Sequence, residues 1–187
     1  MDTSTTLPSA ATGERRALHA VLVGLPGVGK STVGRRVAKL LGRQFLDFDE
    51  EISRREGATI NEIFAAKGEP YFRQREYELT RELSQKNAMI LAPGGGWIGQ
   101  RQAVELLGGT GRTIYLRVTP EAVLQRLHRI SERPLLAGDD PLGKLRELYS
   151  QRRALYETAD ATVDAETLTK DQLVAEVARV IAAFEDI

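Results

Sequence analysis

Residues 24–32 read GLPGVGKST, a glycine-rich run closed by a lysine and two hydroxyls. From Gly24 to Ser31 they match G-x-x-x-x-G-K-[ST] in full. Glycines let successive backbone N–H groups turn inward around a phosphate, and a helix starting behind them adds the positive end of its dipole. Gly27, Val28 and Gly29 form that cradle, with Thr32 just behind it. The Lys30 ammonium reaches outer phosphates, and the Ser31 hydroxyl offers an oxygen to Mg²⁺. This is phosphate-loop chemistry, and it calls for a nucleoside triphosphate. A GTPase would add an Asn/Thr-Lys-x-Asp guanine reader, which the chain lacks. Asp140 to Gly143 imitates a second GTPase motif, but it follows no strand. A large ATPase needs more chain, which leaves a small-molecule or nucleotide kinase.

The acceptor side must come from elsewhere in the chain. Asp47 and Asp49 flank Phe48 at the end of an apolar run, where alternation along a strand points both carboxylates the same way. One then serves Mg²⁺ through water and the other faces the acceptor; the alternative is two solvated turn acids. Between 70 and 86, Phe72, Glu76, Leu79 and Leu83 fall on one helical stripe, so Glu76 interrupts an apolar face. A carboxylate there needs a cation, and Arg73 is three residues away. That pair is either purely structural or the holder of an anionic substrate, since a guanidinium fork matches a carboxylate. Arg152 repeats the anomaly on a face with Leu145, Leu148, Tyr149 and Tyr156. Gly94, Gly95 and Gly96 follow another apolar run directly, as a flexible turn or as a wall that lets a ligand approach the backbone. Arg133 lies in a polar, turn-rich stretch (130–141). It is a surface arginine or the charge that a closing lid brings to a transferring phosphate.

The elements that must position these groups alternate. HAVLVG (19–24), FLDF (45–48), AMILA (88–92), TIYLRV (113–118) and a short run near TVDA read as strands. Helices are expected from about Lys30 to Gly42, in two short pieces over DEEISRRE and INEIFAAK, and over about 70–86, 100–107, 120–128 and 142–157. A last helix opens at Thr169. Gly57 and Gly68 stop the two short pieces, and Thr59/Glu62 and Thr169/Gln172 have capping-box spacing. Five strands alternating with helices give a parallel sheet covered on both faces, a three-layer α/β/α fold. The domain spans 18–187, with a substrate-binding region at about 48–86 and a lid at about 129–141, and residues 1–17 are read as a flexible tail.

Composition narrows the classes further. Lys plus Arg and Asp plus Glu each number 26, which disfavours a dedicated nucleic-acid binder. With no cysteine there is neither a disulfide framework nor a thiolate metal site. No apolar run approaches membrane-spanning length, and the opening residues lack the apolar centre of a secretory signal. A cytoplasmic enzyme is the expectation.

Taken in order, GLPGVGKST, FLDFDEEI, GEPYFRQRE (68–76), GGG (94–96), RPLLAG (133–138) and RRALY (152–156) resemble the motif series of the shikimate kinases, over about residues 19–182. The resemblance implies a usually monomeric enzyme of the nucleoside-monophosphate-kinase fold that moves a phosphoryl group from Mg·ATP to the 3-hydroxyl of shikimate. It implies that Lys30 holds the phosphates and that Ser31 and Asp47 serve the metal. Asp49 would bind shikimate hydroxyls, Arg73 and Arg152 would hold its carboxylate, and Gly94–Gly96 would line the pocket. Glu76 would orient Arg73, Arg126 would pack on adenine, and Arg133 would close on the phosphates. Trp97, directly after the glycines, departs from the small residue usual there: it packs away from the site or narrows it. Two rivals stand: a gluconate kinase, and a non-catalytic shikimate-kinase-like sensor domain.

Overall fold

Short runs of Val, Ile, Leu and Ala need burial on both faces, and a parallel sheet between helices supplies it. The computed structural model describes residues 17–127, 136 and 139–186. The expected tail, apart from Ala17, and most of the expected lid lie outside these residues. Five strands form one parallel sheet in the order β2-β3-β1-β4-β5: β1 (His19–Val23), β2 (Gln44–Asp47), β3 (Met89–Ala92), β4 (Gly111–Arg117) and β5 (Ala161–Asp164). Every residue of β1 and β3 is buried. In register, Val21 stands beside Leu91 on one side and Thr113 on the other. The five-stranded parallel sheet expected from the alternation is present.

Seven α-helices flank it among the described residues: α1 (Lys30–Leu41), α2 (Phe48–Glu56), α3 (Ile60–Leu83), α4 (Arg101–Gly108), α5 (Pro120–Arg126), α6 (Pro141–Tyr156) and α7 (Lys170–Glu185). Local chemistry sets their ends. Both capping boxes form, Thr59 with Glu62 and Thr169 with Gln172. α3 is continuous except at Gly68, whose φ of 77° and ψ of 171° break it before Pro70. The chain leaves β1 for β2, returns to β3 between them, then crosses to β4. That reversal puts the C-terminal end of β1 at a switch point, where open α/β sheets leave a crevice.

One expectation changes. β2 stops at Asp47 rather than Phe48, because the Asp47 side chain accepts the backbone N–H groups of Asp49 (2.9 Å) and Glu50 (3.2 Å) and caps α2. Asp49 therefore sits in the first turn of a helix, and strand alternation does not set its direction.

Candidate active site

A cleft of about 1410 Å³ opens at this end of the sheet. It is lined by the loop between β1 and α1, the start of α2, the glycines after β3, and Arg126 with the segment leading into α7. In the loop, Gly27 (φ 88°) and Gly29 (φ 104°) take left-handed conformations, so glycine there is a backbone requirement. Lys30 is buried, and its Nζ donates to the carbonyls of Gly24 (3.0 Å) and Leu25 (3.1 Å), which holds the ammonium across the loop.

Ser31 Oγ donates to Asp47 Oδ2. The other Asp47 oxygen caps α2, so one buried carboxylate joins the loop, the strand end and the helix. A hydroxyl and a carboxylate side by side are hard oxygen donors, which suit Mg²⁺. No cluster of three or more His, Cys, Asp or Glu that could cage a metal occurs among the described residues.

Across the cleft, α3 carries Arg73 and Glu76. Glu76 is 0 % exposed. Its Oε2 accepts from Arg73 Nη1 (2.6 Å) and Gln100 Nε2 (2.7 Å). Arg73 also donates through Nε (3.0 Å) and Nη2 (2.6 Å) to Glu69. Burial pushes the Glu76 carboxyl above its ordinary range; Arg73 opposes this, and the nearby Asp49 adds to it. Burial pulls Arg73 down, but Glu76 and Glu69 outweigh it and raise it overall. An unpaired charge in this position would be severely penalised, and each group is the other's counter-charge.

The three glycines make room for that pair. A Cβ on Gly96 would lie 2.4 Å from Arg73 Nη2, and one on Gly94 would lie 2.7 Å from Glu76 Oε1 and 3.5 Å from Asp49 Oδ1. Gly95 accepts from the buried Tyr156 hydroxyl at 2.7 Å, and the Tyr156 ring stacks on Tyr115 at 5.2 Å. Burial raises the Tyr156 pKa while the positive charges of Arg152 and Arg73 act against it, so both guanidinium groups bear on one hydroxyl. Arg152 is not among the cleft-lining side chains. Its Nη1 is buried with no hydrogen-bond partner among the described residues, an orphan donor of the kind an anionic ligand satisfies.

At the other end, Arg126 donates to the carbonyls of Ala165 (2.9 Å) and Glu166 (3.1 Å). It lines the cleft together with Leu127, Leu168 and Leu173. Lys30, Ser31, Asp47, Asp49, Arg73, Gly94–Gly96 and Arg126 thus share one cleft, with Arg152 close to its glycine wall. Arg133 lies outside the described residues. Trp97 packs away from the cleft: it is 0 % exposed, and its Nε1 donates to Thr80 Oγ1 at 2.9 Å. Sequence reading missed Gln100 and Thr80. Gln100 meets Glu76 across 24 positions of sequence, and no local pattern announces that contact.

The shikimate kinase family profile matches residues 26–182. The chain belongs to the shikimate kinase family. Curated relatives carry that name, two of them as follows. The one from Acinetobacter baumannii (strain AYE) is 48 % identical over 144 residues, 76 % of this chain and 80 % of the relative. The one from Thiobacillus denitrificans is 46 % identical over 161 residues, 86 % of each. A solved shikimate kinase from Acinetobacter baumannii, in complex with shikimate, superposes with a TM-score of 0.84 at 42 % identity, covering 91 % of this chain and 96 % of that one. The motif resemblance and the fold expectation agree with these findings.

Proposed function

We propose that this member of the family transfers the γ-phosphoryl group of ATP to the 3-hydroxyl of shikimate, giving shikimate 3-phosphate and ADP. The observation that carries the reading is the Arg73–Glu76 pair pressed against Gly96 and Gly94, with Arg73 in the same cleft as the phosphate loop. A small organic anion held there presents a hydroxyl toward the phosphates, and positioning of this kind supplies most of the acceleration in phosphoryl transfer.

Arg73 and Arg152 grip the shikimate carboxylate, and Glu76 keeps Arg73 in place. Gly94–Gly96 let the ring lie against backbone. Asp49 receives hydrogen bonds from the shikimate hydroxyls and takes the proton of the attacking one as its oxygen bonds to the γ-phosphorus and the bond to ADP breaks. The Gly27–Gly29 amides and Lys30 hold the phosphates, with Ser31 and Thr32 at the helix start behind them. Arg126 faces the adenine, and Arg133 neutralises the transferring group. Ser31 and Asp47 would hold Mg²⁺, which screens phosphate charge when bound. We place the enzyme in the cytoplasm as a monomer, with no nucleic-acid or membrane partner.

The test is a steady-state assay of ADP release with Mg·ATP and either shikimate or gluconate, with the product identified by NMR. Phosphorylation of shikimate at the 3-position supports the reading. Turnover of gluconate alone sinks it, and ligand binding without turnover of either acid revives the sensor reading.

A further inference from the structure

Arg73 and Glu76 are held from behind by residues that line no part of the cleft. The turn after the glycines, a 3-10 helix over Trp97–Gly99, leads into Gln100 at the start of α4. Gln100 is fixed by its own backbone: its N–H donates to Trp97 O at 2.8 Å, and its carbonyl accepts from Ala103 (2.9 Å) and Val104 (3.1 Å). From this anchored position the side-chain amide donates to Glu76 Oε2. A second strap runs parallel to the first. Trp97 Nε1 donates to Thr80 Oγ1, which donates to the Glu76 carbonyl at 2.7 Å. Glu76 is thus gripped at side chain and main chain by one turn.

We propose that Gln100 is a positioning residue for the acceptor: it holds the buried Glu76 carboxylate, and through it sets the Arg73 guanidinium, without touching the acceptor. Among the described residues Glu76 Oε1 lies against Gly94 with no well-formed hydrogen bond, so the two donors on Oε2 do most to orient the carboxylate. Of these, Arg73 ends a long side chain that also serves Glu69. An incoming carboxylate competes with Glu76 for the Arg73 N–H groups. Gln100 takes up part of the Glu76 charge, which frees Arg73 to turn a donor toward the ligand while Glu76 stays satisfied.

The proposal rests on the shikimate kinase reading, so wild-type protein runs in the same assay. Gln100→Met keeps the length of the side chain and removes the donor, whereas Gln100→His restores an N–H at similar reach. Gln100→Met should raise the shikimate KM about tenfold, the loss expected for one hydrogen bond to a charged group. Its ATP KM and its kcat at saturating shikimate should stay within about twofold of wild type, since binding rather than chemistry is altered. Gln100→His should recover most of the lost affinity, and calorimetric titration with shikimate should follow the same order. An unchanged KM in Gln100→Met, or no recovery in Gln100→His, overturns the proposal. So does a parallel loss of kcat and ATP affinity, which marks a purely structural role. If Gln100→Met does not melt cooperatively, Gln100→Ala takes its place; failure of both to fold assigns Gln100 to the scaffold and also overturns the proposal. Wild-type protein that ignores shikimate refutes the functional reading instead.

Discussion

Replacing Gly96 by alanine isolates the geometry of the acceptor site from its charge. The backbone at Gly96 has φ −91° and ψ −9°, which alanine adopts readily, so the change adds one methyl and no backbone strain. That methyl would lie 2.4 Å from Arg73 Nη2 and 2.7 Å from Cζ, against 3.4 Å at the near limit of ordinary contact. The guanidinium must retreat by about 1 Å, the difference between 3.4 and 2.4 Å, a shift large enough to strain its hydrogen bonds to Glu76 (2.6 Å, from Nη1) and Glu69 (2.6 Å, from Nη2). Losing one hydrogen bond to a charged group costs about 1.5–3 kcal/mol. At 1.4 kcal/mol per decade, that is roughly 10- to 150-fold in acceptor affinity. The shikimate KM should therefore rise by one to two orders of magnitude while the ATP KM stays near wild type. Glu76, left short of its cation, should lower stability by about 1–3 kcal/mol, visible in a thermal melt. Coupled ADP-release kinetics at saturating Mg·ATP give the KM. A value within about twofold of wild type would refute the claim that the glycines exist to seat Arg73.

Three further outcomes are expected. Arg152→Ala should raise the shikimate KM by about tenfold or more and leave ATP binding nearly intact, measured by the same kinetics; an unchanged shikimate KM removes its role. Asp49→Asn should lower kcat by about 10²-fold or more if Asp49 takes the proton, and near-normal turnover rules it out as an essential base. Hydrogen bonds from Arg54, opposed by desolvation and joined by Arg55, hold the Glu51 carboxyl at about 2, against an ordinary 4.5. A carboxyl lowered on folding stabilises fully above its unfolded value and loses that contribution as pH falls through the folded one. Glu51→Gln should thus lower Tm by up to about 4 °C above pH 4.5, with the gap closing toward pH 2 and shrinking in high salt.

How much could be read from sequence followed the range of the interactions. Capping boxes at Thr59 and Thr169, the helix stop at Gly57 and the phosphate loop are patterns a few residues long, and each is present in the structure. Glu76 also stood out, because a carboxylate on an apolar stripe demands a partner, and Arg73 at i−3 was within reach. Asp47 was harder: capping of α2 competes with continuation of β2, and composition does not say which prevails. Contacts that cross the chain were invisible. Gln100 reaches Glu76, Tyr156 reaches Gly95 across 61 positions, and Arg126 reaches Ala165 across 39. Such pairs exist only once the distant elements that carry them have packed, and no short-range preference encodes them. The direction of Trp97 was open for the same reason, since Thr80 lies on another helix.

Trp97 is the sole tryptophan of the chain. Its indole is shut away from water, and its backbone N–H donates to Gly94 O at 3.0 Å, so the ring is yoked to the glycine turn. The molecule carries its own optical probe at the back wall of the acceptor seat. Emission should be short in wavelength and inaccessible to iodide. Any compound that shifts the three glycines will register there as a change in light, without a dye or a coupled enzyme.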